Sequence, residues 1–193
     1  MKDLRALRQV VVPGNIRCIG TGWFAGSAVE SVWIPRNVRE LGVGAFYNCA
    51  RLVQAVFTRD SKLEKIGASC FQGSGLRRIT VPEGVVEIGD DAFYKCERLE
   101  NVSFEVESAL ELIGARAFAH TPIASFTAPD HLREIGALVF YKCGKLRSVS
   151  MGESIQKIGP MCFLETDVKD LKLPYSVNIS DTYLGVPQRY ENI

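Results

Sequence analysis

Residues 87–96 read EIGDDAFYKC, and close variants of this stretch recur along the chain. In each variant an isoleucine or leucine and then a glycine precede a phenylalanine, as Ile88 and Gly89 precede Phe93. Successive phenylalanines of this kind lie 22, 25, 22, 25, 22 and 23 residues apart. An internal repeat of this length predicts a stack of similar coils. We call these residues the phenylalanine column; they are Phe24, Phe46, Phe71, Phe93, Phe118, Phe140 and Phe163.

A single coil of this chain is too small to fold alone. Burying one phenylalanine contributes about 1.5–3 kcal/mol, whereas ordering the backbone costs about 1–2 kcal/mol for every residue of the coil. Stacking shares each ring with the coils before and after it, so that stability arises from contacts between neighbours. We therefore expect one elongated domain over residues 1–193, with repeats from about residue 4 to 174.

The repeat pattern begins within a coil and fails after Pro174. Residues 175–193 contain no Ile-Gly pair and no column phenylalanine, so we expect them to form the atypical C-terminal cap that a solenoid needs. At the other end, residues 1–6 are expected either to form a minimal cap or to continue a longer protein.

Alternating apolar residues follow each column phenylalanine and predict a short strand. Ile79 and Val81 flank the polar Thr80, and this period of two is typical of a strand with one buried face. A preceding strand of the same kind is expected before Phe24, which makes eight strands in one ribbon. Their first inward-facing residues are Val10, Val32, Ala55, Ile79, Val102, Phe126, Val149 and Leu171.

The remainder of each coil is expected to return the chain to the next strand. The glycine of the repeat, Gly89 in the quoted stretch, is predicted to permit a tight bend, and the segment after it to form one helical or 3₁₀ turn. Short strands and short helical turns together make an α/β solenoid of about seven to eight repeats. The coils also alternate in length, because the units after Cys49 and Cys96 run 25 residues to the next phenylalanine.

Three of the six cysteines occupy one position of the repeat. Cys49, Cys96 and Cys143 stand 47 residues apart, and each follows a column phenylalanine by three positions. Neighbouring strands are about 4.8 Å apart, so two coils separate these residues by roughly 10 Å, more than the about 7 Å that a disulfide tolerates between Cα atoms. We expect small buried thiols at this position.

Composition excludes several kinds of partner. The net charge is +1 with acidic and basic residues interspersed, so we expect no binding to nucleic acid. No apolar run reaches the roughly 18 residues of a membrane span, and the start of the chain lacks the apolar core of a secretory signal. We therefore expect no membrane insertion.

The chain offers little material for catalysis. His120 and His131 are its only histidines, and neither has cysteine or carboxylate neighbours at metal-ligand spacing. The glycines of GTGWFAG, residues 20–26, resemble a phosphate loop, but no Lys-Ser or Lys-Thr follows them. Asp90 and Asp91 are adjacent in the sequence, so their carboxylates do not converge on one substrate as a general acid and a general base must. We expect no enzyme activity, no metal site and no cofactor.

The combined pattern L-x-x-V-x-I-P-x-x-V-x-x-I-G-x-x-A-F-x-x-C resembles the BspA-like leucine-rich repeats, over about residues 4–174. Asn15 and Asn37 also fit the asparagine of the general leucine-rich repeat signature. The resemblance implies a curved solenoid with its parallel strands on the concave side. It further implies an adhesin at the cell surface or secreted, which binds a protein or glycan ligand such as host matrix.

The most promising binding surface lies on the outward-facing side of the strands. If the residues named above point inward, the residues between them point outward. In the first three strands this places Val11, Trp33 and Val56 side by side, and an exposed apolar cluster of this kind often marks a partner site. Polar residues border the cluster; they are Gln9, Gln54 and Arg78.

Three alternatives to this interpretation remain open, one of which is a non-catalytic region attached to an enzyme. The apolar cluster is covered if the N-terminal residues or upstream coils lie over it. The absent secretory signal and the reduced cysteines instead favour an intracellular interaction or assembly module in the cytoplasm. We expect a monomer or, because an exposed first strand can pair with another chain, an edge-strand dimer.

Overall fold

The computed structural model describes residues 7–177 and 182–186. The cap expected at residues 1–6 lies outside this part of the chain, as do residues 178–181 and 187–193 of the expected C-terminal cap. The strands of the described residues are β1 Gln9–Val11, β2 Cys18–Ile19, β3 Ser31–Ile34, β4 Glu40–Leu41, β5 Gln54–Phe57, β6 Lys65–Ile66, β7 Arg78–Val81, β8 Glu87–Ile88, β9 Asn101–Phe104, β10 Leu112–Ile113, β11 Ser125–Thr127, β12 Glu134–Ile135, β13 Ser148–Ser150, β14 Lys157–Ile158 and β15 Asp170–Lys172.

Each of the first seven described coils contributes one odd-numbered strand and one even-numbered strand to two parallel stacks, and the last described coil contributes β15. The even-numbered strands, two residues each, form a continuous sheet from β2 to β14. The odd-numbered strands form three separate sheets, β1–β3–β5, β7–β9 and β11–β13–β15. The predicted parallel solenoid of about seven coils is confirmed, but the single ribbon of eight strands is wrong. We call the outer surface of these three sheets the odd-strand face.

The odd-strand face is interrupted after β5 and after β9, which are the odd-numbered strands of the two long coils. Phe57 stands nine residues before Ile66, and Phe104 stands nine residues before Ile113, whereas Ile34 stands seven residues before Leu41. We attribute the separation of β5 from β7, and of β9 from β11, to these two extra residues. The coil after β13 lacks them, and β13 pairs with β15.

The phenylalanine column forms a continuous stack of aromatic rings, as predicted. Adjacent rings have centroids 5.2–6.1 Å apart and planes within 4–10° of parallel. All members from Phe46 onward are fully buried, while Phe24 in the first coil is partly exposed. Ring pairs of this kind contribute about 0.5–1.5 kcal/mol beyond their buried area, so the column links every coil to its neighbours.

The helical turns of the expected α/β class are not confirmed, because residues 7–177 and 182–186 contain no helix. Around Phe93, backbone N–H groups alternate between partners in the next coil and partners in their own coil. Phe93 N–H donates to the carbonyl oxygen of Ala117 in the next coil at 2.8 Å, whereas Tyr94 N–H donates to that of Asp91 in the same coil at 3.0 Å. The residues two positions before and after Phe93, Asp91 and Lys95, have φ of 56° and 55°. A helix cannot form with left-handed residues at this spacing.

From Gly42 onward, the repeat glycines allow neighbouring coils to approach closely and are not needed for a bend. Gly89 has no left-handed φ, so its backbone conformation is open to other residues. A Cβ atom there would lie 2.7 Å from the nitrogen and 3.0 Å from the Cα of Ala68 in the preceding coil. The absence of a side chain therefore lets neighbouring backbones pack against each other at this corner.

The buried thiols join neighbouring coils. Cys96 Sγ donates to the carbonyl oxygen of Phe71 at 3.0 Å and lies 3.3 Å from the hydroxyl of Ser74. Equivalent contacts recur 47 residues earlier, at Cys49 with Ser27, and 47 residues later, at Cys143 with Thr121. We call this period of two coils, or 47 residues, the super-repeat. Thiols and hydroxyls thus alternate along one buried line, and the prediction of free buried cysteines is confirmed at these positions.

Candidate partner-binding face

The structure brings the predicted apolar residues together on the odd-strand face. Strand pairing sets Val11 opposite Trp33, and Trp33 opposite Val56. Val11 is 74% exposed, while Trp33 and Val56 are half-buried. We call these three residues the apolar row. The row lies on the surface because β1, β3 and β5 alternate inward and outward side chains in the same register.

The predicted polar residues border the apolar row in two different ways. Gln9 and Gln54 flank the buried Ser31 in the same sheet and are both exposed. Arg78 lies on β7, which belongs to the next sheet, so it faces the row across the first interruption. An N-terminal covering of the row by residues 1–6 falls outside the described residues.

A shallow cavity lies beside the apolar row. It has a volume of about 360 Å³, and its lining includes Val11, Trp33, Pro35 and Thr58. Sequence reasoning did not place Pro35 and Thr58 at this surface. The available signal was their position directly after β3 and β5, where the chain leaves the sheet on the same side as the outward-facing residues.

The first interruption of the odd-strand face opens a groove between β5 and β7. This β5–β7 groove has a volume of about 620 Å³, and its lining includes Gln54, Val56 and Arg78. Ala55 and Phe57 also line it and are partly exposed, although they occupy inward-facing positions of β5. The separation of the two sheets therefore gives solvent access to apolar side chains that continuous pairing would bury.

The second interruption opens an equivalent groove 47 residues further along the chain. This β9–β11 groove has a volume of about 530 Å³ and is lined in part by Val102 and Phe104, the counterparts of Ala55 and Phe57. Phe104 packs edge-on against Phe126 with ring centroids 5.9 Å apart. The two grooves share their backbone framework but differ in the charges at their rims.

The histidines make structural contacts. His131 Nδ1 donates to the carbonyl oxygen of Ser108 at 3.1 Å, as the amide of Asn37 donates to the carbonyl oxygen of Gly14 at 2.7 Å. His120 packs edge-on between two tyrosine rings with centroids 5.4 Å away, and desolvation together with nearby lysines lowers its pKa.

Among the described residues no group of three His, Cys, Asp or Glu side chains could hold a metal ion. That part of the chain also has no helix able to cross a membrane.

Burial suppresses the chemistry of most cysteines. It raises the pKa of Cys96 and Cys143 to about 11, although hydrogen bonds from Ser74 and Thr121 partly oppose the shift. The other buried thiols also have raised pKa values, chiefly because of desolvation; they are Cys49, Cys70 and Cys162. Since the thiolate is the reactive form, these side chains are unreactive near neutral pH.

We expect Cys18 to be the only cysteine of the native protein that reacts rapidly with a disulfide reagent such as DTNB at pH 8. It is exposed, whereas the other five are buried. Desolvation and the nearby Glu40 raise the pKa of Cys18, so its reaction should be slower than that of free cysteine. The absorbance change should report one thiol in buffer and six in denaturant. Rapid modification of a second thiol, or of any thiol in Cys18→Ser, would contradict the burial described above.

Comparison with known proteins agrees with the geometry of the coils. A family profile described as "BspA type Leucine rich repeat region (6 copies)" matches residues 2–105 and 64–184. No curated protein matches the sequence.

Solved structures of bacterial proteins have the same fold. The pneumococcal vaccine antigen PcpA has a TM-score of 0.69 at 19% identity, covering 92% of this chain and 63% of that protein. A leucine-rich repeat protein from Bacteroides ovatus has a TM-score of 0.67 at 28% identity, covering 89% and 52%. A leucine rich cell surface protein from Faecalibacterium prausnitzii has a TM-score of 0.50 at 19% identity, covering 88% and 70%. This chain spans less than two thirds of the first two proteins.

Proposed function

Because the chain belongs to the BspA-type leucine-rich repeat family, we propose that it is a non-enzymatic scaffold, secreted or at the cell surface, that binds a protein or glycan partner through its odd-strand face. The single observation that carries this proposal is the apolar row, in which Val11 remains 74% exposed beside Trp33 and Val56. Exposed apolar patches bordered by polar residues commonly mark interaction sites.

The architecture supports recognition rather than chemistry. A solenoid presents a preformed surface, so little conformational entropy is lost when a partner binds. Tryptophan and arginine are frequent energetic anchors of interfaces, and Trp33 and Arg78 lie on this face. We expect the partner to contact the apolar row and its polar border, Gln9, Gln54 and Arg78. By the family resemblance, this surface is the concave side of the solenoid.

The names of two structural relatives support the surface location. PcpA is described as a vaccine antigen and the Faecalibacterium prausnitzii protein as a cell surface protein. Both are 19% identical to this chain, so their likeness to it shows the fold alone. Immunodetection on intact and on permeabilised source cells tests the proposed location. Signal that requires permeabilisation contradicts the surface location.

We expect Trp33→Ala to weaken partner binding at least tenfold, because truncating a central aromatic anchor typically costs more than 1.4 kcal/mol. The probes are immobilised fibronectin, laminin and collagen together with a glycan array, all titrated with the purified protein. Tyr175→Ala is the control, since Tyr175 is a fully exposed aromatic residue that follows β15. Equal binding by Trp33→Ala and the wild-type protein would remove the apolar row from the site.

The alternative function is an intracellular interaction or assembly module. The free cysteines favour it, since thiols persist in reducing compartments. The same immunodetection experiment separates the two proposals, because a module of this kind should be found in the cytoplasm and detected only after permeabilisation. Binding through the apolar row is compatible with either location.

A further inference from the structure

The β5–β7 groove combines an apolar floor with two arginines that lack ion-pair partners. Arg77 and Arg78 line the groove and are exposed, and neither forms a salt bridge with any residue in the described parts of the chain. Some exposed arginines elsewhere do form ion pairs, as Arg39 does with Glu64 and Arg116 with Asp91. The guanidinium groups at the groove are therefore available to an incoming anion.

The floor of the groove favours an anion that carries an apolar group. Phe57 and Ala55 are partly exposed within it, and Val53 at its rim is 40% exposed. Transfer of an apolar group from water to this floor is favourable by about 25 cal/mol for every Å² buried. A guanidinium group beside such a surface bonds a carboxylate with two parallel N–H···O hydrogen bonds.

Charge distinguishes this groove from its counterpart in the next super-repeat. The β9–β11 groove has the same kind of floor, but its lining includes Glu105, Glu107 and Asp130 and no arginine. Glu105 also lines the β5–β7 groove, where its Oε2 accepts a hydrogen bond from the backbone N–H of Glu83 at 3.0 Å. Within the described part of the chain, the β5–β7 groove thus carries arginines without salt bridges, whereas the β9–β11 groove is acidic on the same framework.

We propose that the β5–β7 groove is a binding site for a carboxylate adjacent to an aromatic or aliphatic side chain, as in an acidic segment of a partner protein. The carboxylate contacts Arg78 and Arg77, and the apolar side chain occupies the floor over Phe57. This inference deepens the proposed function, because Val56 belongs both to the apolar row and to the groove. It identifies acidic and apolar residues as the chemistry that the partner presents to this end of the row.

The test uses a small probe in place of the unidentified partner. 3-Phenylpropionate is titrated into the ¹⁵N-labelled full chain, and amide shifts are followed by two-dimensional NMR. We expect saturable shifts centred on β5 and β7 with a Kd of roughly 1–5 mM, which is about −3 to −4 kcal/mol. 3-Phenylpropanamide lacks the charge and acetate lacks the ring, so each should bind at least fivefold more weakly.

Variants separate a specific site from general charge attraction. Arg78→Gln should weaken 3-phenylpropionate binding at least fivefold, whereas Arg17→Gln should leave it unchanged, because Arg17 is exposed outside both grooves. Equal binding of the amide, equal binding of acetate, unchanged binding by Arg78→Gln, or stronger shifts in the acidic β9–β11 groove would each overturn the proposal. The titration needs no macromolecular partner, so its failure leaves the Trp33→Ala test intact, and the reverse also holds.

Discussion

We expect Phe93→Ala to lower the free energy of unfolding by about 3–5 kcal/mol, the usual cost of deleting a buried aromatic ring. Phe93 is fully buried, and its ring stacks on Phe71 at 5.4 Å and on Phe118 at 5.3 Å between centroids. The cavity left by alanine interrupts contacts on both sides of one coil. Because the stability of a solenoid depends on contacts between neighbours, this loss weakens the whole array. Urea denaturation followed by circular dichroism measures the change.

Phe24→Ala is the matched control for the interior substitution. Phe24 is partly exposed in the first described coil, and among the described residues its ring stacks only on Phe46, at 5.2 Å between centroids. Its replacement should cost less than half as much as that of Phe93, since less area and fewer contacts are lost. Equal losses for the two variants would show that ring stacking between coils does not determine stability.

The second large effect is expected for Gly136→Ala. A Cβ atom at Gly136 would lie 2.5 Å from the nitrogen and 2.8 Å from the Cα of Ala115, and 2.8 Å from the carbonyl carbon of Gly114. All three are backbone atoms of the preceding coil, so rotation of a side chain cannot relieve the overlap. We expect a loss of about 1–3 kcal/mol or more, as for other overpacked sites, because two coils must move apart. The same denaturation experiment measures it.

Gly144→Ala tests whether the effect depends on close approach. A Cβ atom at Gly144 would meet no atom within 4 Å, and its φ is not left-handed. This variant should change the free energy of unfolding by less than about 0.5 kcal/mol. If both glycine variants were equally destabilised, loss of glycine itself, rather than contact between coils, would be responsible.

The stacked core could be predicted from the sequence because each coil supplies the same inward residue. The spacing of Phe71, Phe93 and Phe118 required neighbouring rings to meet, and their centroids lie 5.3–5.4 Å apart. The division of the odd-strand face could not be predicted in the same way. It depends on the path taken by two extra residues, and their number alone does not say whether the next strand pairs.

The backbone conformation of the segment around each column phenylalanine could not be predicted from the sequence either. Its left-handed positions carry residues such as Lys95, Leu138 and Met161, with φ of 55–59°. These residue types do not signal a left-handed conformation, which costs roughly 1–2 kcal/mol for a non-glycine residue. Hydrogen bonds to the neighbouring coil stabilise it, so it depends on the stack rather than on the segment. A helical turn was the natural prediction for the isolated sequence.

The apolar row followed from the alternation of side chains, and strand pairing aligns its three members as expected. Sequence reasoning placed Arg78 beside this row but did not reveal the groove that separates them. The exposure of Phe57 was likewise unpredicted, because its position in β5 is inward-facing. Whether partners bind at these residues remains a prediction.

The 47-residue spacing of the long coils and of the paired thiols and hydroxyls restricts how such a chain can change length. Removing 22 residues would place two long coils next to each other and would set Cys49 and Cys96 in adjacent layers without an intervening hydroxyl. Removing 47 residues instead keeps each long coil next to short coils and each of these thiols next to hydroxyls. The natural unit of growth for this protein is therefore a pair of coils, and each added pair also adds one groove.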